Sequence, residues 1–165
     1  MTRDAELTYD ITPKVRISCM CLHVQRAARA VARRYDEALR PVGLTSGQYS
    51  LMMVLNAEEA PSMQTISAVL DMDRTTVTAN LKPLERLGLI EVVVDAEDRR
   101  SRRARLTAAG RKVLAKAVPL WRRCQAATEK LVSDAEHMRA ELRALSSADF
   151  PRNPRRWRAQ ANGEE

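Results

Sequence analysis

The stretch SMQTISAVLDMDRTTVTANLKPLERLGLIEVVVDAEDRRSRRARL, residues 62–106, decides the fold. Its first part carries Ile66, Val69 and Leu70 at helical spacing behind Ser62, whose hydroxyl can accept the free N–H groups of a first helical turn. That short helix is predicted to end at the tight segment Asp71-Met72-Asp73. A second helix starts at once with Asp73 as its N-cap and runs to Leu87, where Gly88 stops it. Val77, Leu81 and Leu84 fall on one face of this helix and are predicted to pack on the helix before it. Arg74, Thr75, Thr76, Thr78 and Lys82 are left on the other side. Pro83 lacks an N–H and meets the carbonyl of Ala79, so a mild kink is expected there, separating an outward-reading half from a packing half. After Gly88 the period changes. LIEVVV (89–94) and ARLT (104–107) are β-prone runs, and the charged DAEDRRSRR (95–103) between them reads as the turn of a hairpin.

Two short helices joined by about three residues, followed by a charged hairpin, is the layout of a winged helix-turn-helix, whose second helix enters the DNA major groove. The residues on the open side of that helix suit DNA. Threonine hydroxyls bond base edges or phosphates, their methyls touch thymine, and Arg74 or Lys82 can meet a phosphate or a guanine. A polar helix face also describes simple solvation, and it is the hairpin following in this order that favours DNA. The hairpin tip sets Asp95, Glu97 and Asp98 against Arg99, Arg100, Arg102 and Arg103. Arginine at a protruding tip suits the narrow minor groove, where negative potential is enhanced. Asp98 is expected to orient a neighbouring arginine through a charge-assisted bond. The alternative is a self-neutralising, solvated loop.

Outward from this centre the chain is helical. Ile17, Met20, Val24, Ala27, Ala28, Val31, Tyr35 and Leu39 recur by threes and fours and predict one long helix over 13–39, stopped by Pro41 and Gly43. Ser46 opens a helix through Leu51, Met52, Val54 and Leu55. Beyond the hairpin, helices are predicted over 108–133 and 134–145. The tail FPRNPRRWRAQANGEE, rich in arginine and proline, is expected to be disordered; Arg152, Arg155, Arg156 and Arg158 are its possible DNA contacts. The fold class is mainly α with a small two- or three-stranded β-wing. A single domain is expected, with helical regions 13–42 and 108–146, a winged lobe 46–107 and a basic tail 147–165.

Composition agrees. The 165 residues are 45% hydrophobic but only 4% aromatic, so Leu, Val, Ala and Met must supply the core. Lys and Arg number 28 against 21 Asp and Glu, a net charge of +7 that favours polyanionic partners, although a solvated basic surface would read the same way. No run approaches the roughly 18 apolar residues of a membrane span, and MTRDAELTYD lacks the basic start and apolar run of a signal peptide. The protein is therefore expected in the cytoplasm, away from membranes. Three cysteines, Cys19, Cys21 and Cys124, make a structural disulfide framework unexpected. Placed at i and i+2 of one helix, Cys19 and Cys21 would point about 200° apart. His23 and His137 are too isolated for a metal site. No phosphate loop, nucleophile elbow or catalytic triad is evident, so neither an enzyme nor a cofactor is expected.

Three segments, GLTSGQYSLMMVL (43–55), DMDRTTVTANLKPLERLGLI (71–90) and DAEDRRSRRARLTAAG (95–110), resemble the MarR family of bacterial regulators, and the resemblance extends over about residues 17–145. It implies a homodimer whose first and last helices intertwine. Such a dimer presents two recognition helices and two wings to a pseudo-palindromic site on double-stranded DNA, usually as a repressor. The family's recognition contacts fall on Arg74, Thr75, Thr76, Thr78 and Lys82. Its wing residues fall on Asp98, Arg99 and Arg100, with Arg102 beside them and Arg100 foremost for the minor groove.

The resemblance implies two kinds of switch: release by a small aromatic ligand, or oxidation of a cysteine. For the ligand, His23, Arg26 and Tyr35 are the candidate effector pocket. For oxidation, Cys21 matches the reactive cysteine of the family's organic-hydroperoxide-sensing branch, and Cys124 lies where some members carry a resolving cysteine from the other subunit. That branch has a tyrosine four residues after the reactive cysteine where this chain has Gln25, leaving Tyr35, His23 or Arg26 to activate the thiol. All three cysteines also fit as small buried hydrophobes. From other classes, a sequence-blind nucleoid protein and a protein-interaction module are the alternatives.

Overall fold

The computed structural model describes residues 8–95 and 98–147. The chain divides into two compact units, residues 1–128 and 129–165.

The first unit begins with α1 (Ile11–Ser18) and α2 (Met20–Leu39). The single helix expected over 13–39 is thus broken at Cys19, whose backbone is extended at φ −71°, ψ 106°. Cys19 closes α1 through its N–H to Val15 O at 2.9 Å, and its sulfur accepts the Leu22 N–H at 3.4 Å as the N-cap of α2. The carbonyl of Ile17, freed by the break, takes a hydrogen bond from His23 Nε2 at 2.9 Å. Apolar periodicity runs unbroken across this point and gives no sign of it. A 3-10 turn over Arg40–Val42 ends at Gly43, whose φ of 71° suits glycine.

α3 (Ser46–Val54) is capped by Thr45, one residue before the expected Ser46, because only Thr45 has a glutamine three residues on. Thr45 Oγ1 accepts from Gln48 N at 3.3 Å, and Gln48 Oε1 accepts from Thr45 N at 2.9 Å, a complete capping box. Asp36 of α2 also accepts the Ser46 N–H at 2.6 Å, tying the two helices.

α4 (Met63–Leu70) and α5 (Arg74–Arg86) form the helix-turn-helix, each with its predicted cap: Ser62 Oγ takes Thr65 N at 3.1 Å and Asp73 takes Thr76 N at 2.8 Å. Between them Asp71 is left-handed at φ 49°, the one non-glycine residue in that region among those described. Gly88 follows α5 at φ 67°.

β1 (Ile90–Val94) and β2 (Arg102–Leu106) pair antiparallel, Ile90 opposite Leu106 and Val94 opposite Arg102. The sheet is two-stranded, and an isolated antiparallel bridge joins Ser62 to Arg103 beside it. α6 (Ala108–Glu129) starts with Thr107 as a cap, its hydroxyl accepting from Gly110 N at 3.0 Å and donating to Gly88 O at 2.7 Å. Gly110 is buried so close to the start of the sheet that a Cβ there would lie 1.9 Å from Leu89 O.

The core gathers Leu39, Leu44, Leu51, Met52, Leu55, Ile66, Val77, Leu81, Leu84, Ile90, Leu106 and Leu114. Val69, expected on the packing face of α4, is 62% exposed; Ile66 is the buried member and Leu70 is half-buried.

In the second unit, α7 (Ala135–Ser147) begins after Asp134, which caps it by accepting from Glu136 N and His137 N. α6 stops at Glu129, four residues short of its expected end. Glu136 gathers Arg139 and Arg143 along one side of α7, while Met138, Leu142 and Leu145 are exposed. The tail beyond residue 147, with its arginines, lies outside the described residues.

Candidate nucleic-acid interface

α5 buries Val77, Leu81 and Leu84 and exposes Arg74, Thr75, Thr76, Thr78 and Lys82. The helix runs unbroken through Pro83, and its buried residues stand on both sides of the proline. Exposed and buried side chains are therefore divided by face and not, as expected, by half. The threonines differ in what they can offer. Thr76 is spent on the cap: its hydroxyl donates to Asp73 Oδ2 at 2.6 Å while its N–H donates to Oδ1. Those two bonds, the hydroxyl first, hold the Asp73 carboxyl below the usual carboxylate range. Thr78 donates back to Arg74 O at 2.8 Å, which leaves its methyl and an oxygen lone pair to face outward. Arg74, Thr75 and Lys82 are exposed.

In the wing the structure reassigns the acids. Asp98 accepts from the Ser101 hydroxyl at 2.7 Å and the Arg100 backbone N–H at 2.9 Å, bonds that lower its pKa in that order. It thus fixes the turn's backbone, in place of the arginine side chain it was expected to orient. Arg102 curls over the same turn, donating to Arg99 O at 3.0 Å and Ser101 O at 3.1 Å. The guanidinium groups of Arg99 and Arg100 have no acidic partner among the described residues and project from the tip. Asp95, assigned to the tip by sequence, is 7% exposed at its base and ion-paired with Arg103. Glu97 lies outside the described residues. The sole sequence signal for the Asp95–Arg103 pair was strand position: Arg103 sits next to buried Ala104, unlike the arginines of the turn.

The candidate switch residues do not converge. His23 is engaged with Ile17 O, and Tyr35 donates to Gln125 of α6. Arg26 is exposed. Tyr35 stands about 21 Å along α2 from Cys21, at 1.5 Å per residue, so it does not serve that thiol within one chain. Cys21 is exposed and accepts from Gln25 Nε2 at 3.3 Å. Cys124 is buried, its thiol donating to Arg34 O at 3.7 Å. Because Arg34 lies 13 residues past Cys21, the two cysteines are roughly 20 Å apart in one chain. Cys19, as a cap, is outside the helical geometry that was expected to hold it away from Cys21.

An aromatic-walled cleft lies elsewhere, between α3 and α6. Tyr49 and Trp121 stack there with ring centroids 6.1 Å apart, and Ser50, Met53, Val118 and Arg122 complete a space of about 450 Å³. Burial raises the Tyr49 pKa, partly offset by the Arg122 cation. Sequence reasoning used Tyr49 as a family marker and passed over Trp121, because nothing local pairs two aromatics more than 70 residues apart. Among the described residues, no three His, Cys, Asp or Glu side chains group to hold a metal ion, and no helix is long and apolar enough to cross a membrane.

Residues 42–101 match the MarR family. The chain is similar to the Mycobacterium tuberculosis transcriptional regulator MosR, in its crystal structure in complex with DNA: 42% identity, 79% of this chain and 95% of that one, TM-score 0.74. It is similar to the transcriptional repressor CouR bound to a 23-mer DNA duplex, at 28% identity, 79% and 92% coverage and TM-score 0.66. Among curated proteins it is 37% identical over 94 residues to the HTH-type transcriptional regulator TtmR of Methylorubrum extorquens. That match takes in 57% of this chain and about half, 48%, of TtmR. With a 42% identical relative covered over 95% of its length at a TM-score of 0.74, and residues 42–101 matching the family, the chain belongs to the MarR family.

Proposed function

We propose that this chain is a sequence-specific, DNA-binding transcription regulator, not an enzyme, that acts as a homodimer on a pseudo-palindromic site, ordinarily to repress. One observation carries the reading. The open face of α5, with Arg74, Thr75, Thr78 and Lys82, rests on buried Val77, Leu81 and Leu84, and the hairpin turn that follows exposes Arg99 and Arg100, which have no acidic partner among the described residues. A rigid reading helix with a basic wing is what groove recognition requires. MosR in complex with DNA and CouR on its duplex are consistent with it. The dimer is supported by the apolar side chains that α1 and α2 leave open, among them Val15, Ile17, Met20, Val24 and Val31, and by those of α7.

For release from DNA, the Tyr49–Trp121 cleft with Arg122 at its edge suits a small planar aromatic anion better than His23, Arg26 and Tyr35 do. Oxidation at Cys21 is the second reading, favoured by its exposure and the Gln25 donor.

The test is a titration of DNA upstream of the chain's own gene against random duplex at fixed salt. A preference of orders of magnitude is expected of a regulator; sequence-blind, salt-sensitive binding would indicate a coating protein, and no binding an interaction module. Arg100→Ala is expected to weaken the preferred complex by about 1–3 kcal/mol with the fold intact; unchanged affinity would remove Arg100 from the interface.

A further inference from the structure

The wing of a DNA-binding lobe is useful only if its tip is held at a fixed place relative to the recognition helix, and the base of this wing contains a device for that. Asp95 is the one charged residue buried among those described. Its carboxylate accepts from Arg103 Nε and, at 3.4 Å, from the Asp98 N–H. Its own N–H donates to Ser101 O at 3.1 Å, so Asp95 closes the turn that carries Arg99 and Arg100 from both ends. Arg103 faces the other way as well: Nη1 donates to Ala60 O at 2.9 Å. There the β2 backbone continues the link, with Ala104 N on Pro61 O at 3.2 Å and the bridge to Ser62. Ser62 is the cap of α4, the first helix of the helix-turn-helix. A continuous chain of bonds thus runs from the wing turn through Asp95 and Arg103 to the residue that starts the reading motif.

We propose that Asp95 and Arg103 are positioning residues for DNA recognition: together they fix the wing-tip arginines in register with α5, so that both elements reach one duplex at once. This rests on the regulator reading above. Simple electrostatics predicts the opposite. Removing an acid raises the net charge and by itself tightens binding to any duplex, whereas loss of register weakens binding to the preferred duplex alone.

The probe is the duplex that the parent chain selects from a random-sequence library; a parent that selects none overturns the regulator reading itself, before any variant is made. With that duplex, Asp95→Asn is expected to lower affinity about tenfold at fixed salt while affinity for a scrambled duplex stays within about twofold. Arg100→Ala should lose most of its effect in the Asp95→Asn background, since the arginine is then already out of place. Arg103→Lys keeps the charge but not the two-directional donor geometry, and is expected to behave alike; it carries the test if Asp95→Asn does not fold. Affinity for the selected duplex at or above the parent's, equal loss on both duplexes, or an undiminished effect of Arg100→Ala in the variant would each overturn the assignment.

Discussion

α5 and α2 carry the same kind of apolar pattern and meet opposite fates. On α5, Val77, Leu81 and Leu84 recur at helical spacing and are buried inside the lobe that their own chain builds. On α2, Met20, Val24 and Val31 recur just as regularly and remain open; from residue 11 to 38 no side chain is buried, and Leu39 is the first to enter the core. The period of a helix tells which side is adhesive, not which chain will cover it. A lobe closed on itself beside helices that are not closed is the arrangement expected when stability is local but assembly needs a second copy.

The sharpest way to break the closed side is Gly110→Ala. Its Cβ would collide with a backbone carbonyl that cannot swing aside, so a loss of about 3 kcal/mol or more is expected in denaturant unfolding. An unfolding midpoint within error of the parent's would mean that α6 is not seated on the sheet as described. On the open side, Val31→Glu places a charge where the second copy is proposed to pack. A rise of about a hundredfold in the dimer dissociation constant, roughly 3 kcal/mol, is expected in sedimentation, with helix content unchanged. A dimer that tolerates the change would put the interface on another face.

Asp71→Gly sharpens the contrast from the stable side. It relieves a left-handed residue in the helix-turn-helix corner and should raise lobe stability by about 0.5–1 kcal/mol while leaving dimerisation untouched. The smallest effect is acid-dependent. The Asp73 carboxyl is held below its ordinary pKa by Thr76, so its contribution is complete above the usual carboxylate range and is lost as the pH falls through the lowered value. Asp73→Ala should therefore flatten the acid limb of the stability curve and leave its neutral part lowered but level, as read by unfolding across pH.

Local signals were legible in the sequence and distant ones were not. Ser62, Asp73 and Gly88 punctuate their helices through bonds that span two or three residues, and the two wing strands announce themselves by composition. Cys19 ends a helix inside an uninterrupted apolar period because its sulfur can act as a cap and His23 can satisfy the freed carbonyl, neither of which periodicity records. Asp95 and Asp98 look alike in a run of nine charged and small residues. Their roles separate only when folding brings Arg103 against Ala60, more than 40 residues earlier. Tyr35 donates to Gln125, 90 residues away, a contact that no local pattern announces.

Trp121, stacked on Tyr49, has an optical consequence. The chain has two tryptophans; the other, Trp157, lies outside the described residues, and its replacement by phenylalanine leaves one indole. What remains is a single indole at the seam between α3 and α6, quenched or relaxed as that seam tightens or opens. The emission of Trp121 then gauges the separation of those helices without a label, and any small molecule that enters beside it announces itself as a change in colour and brightness.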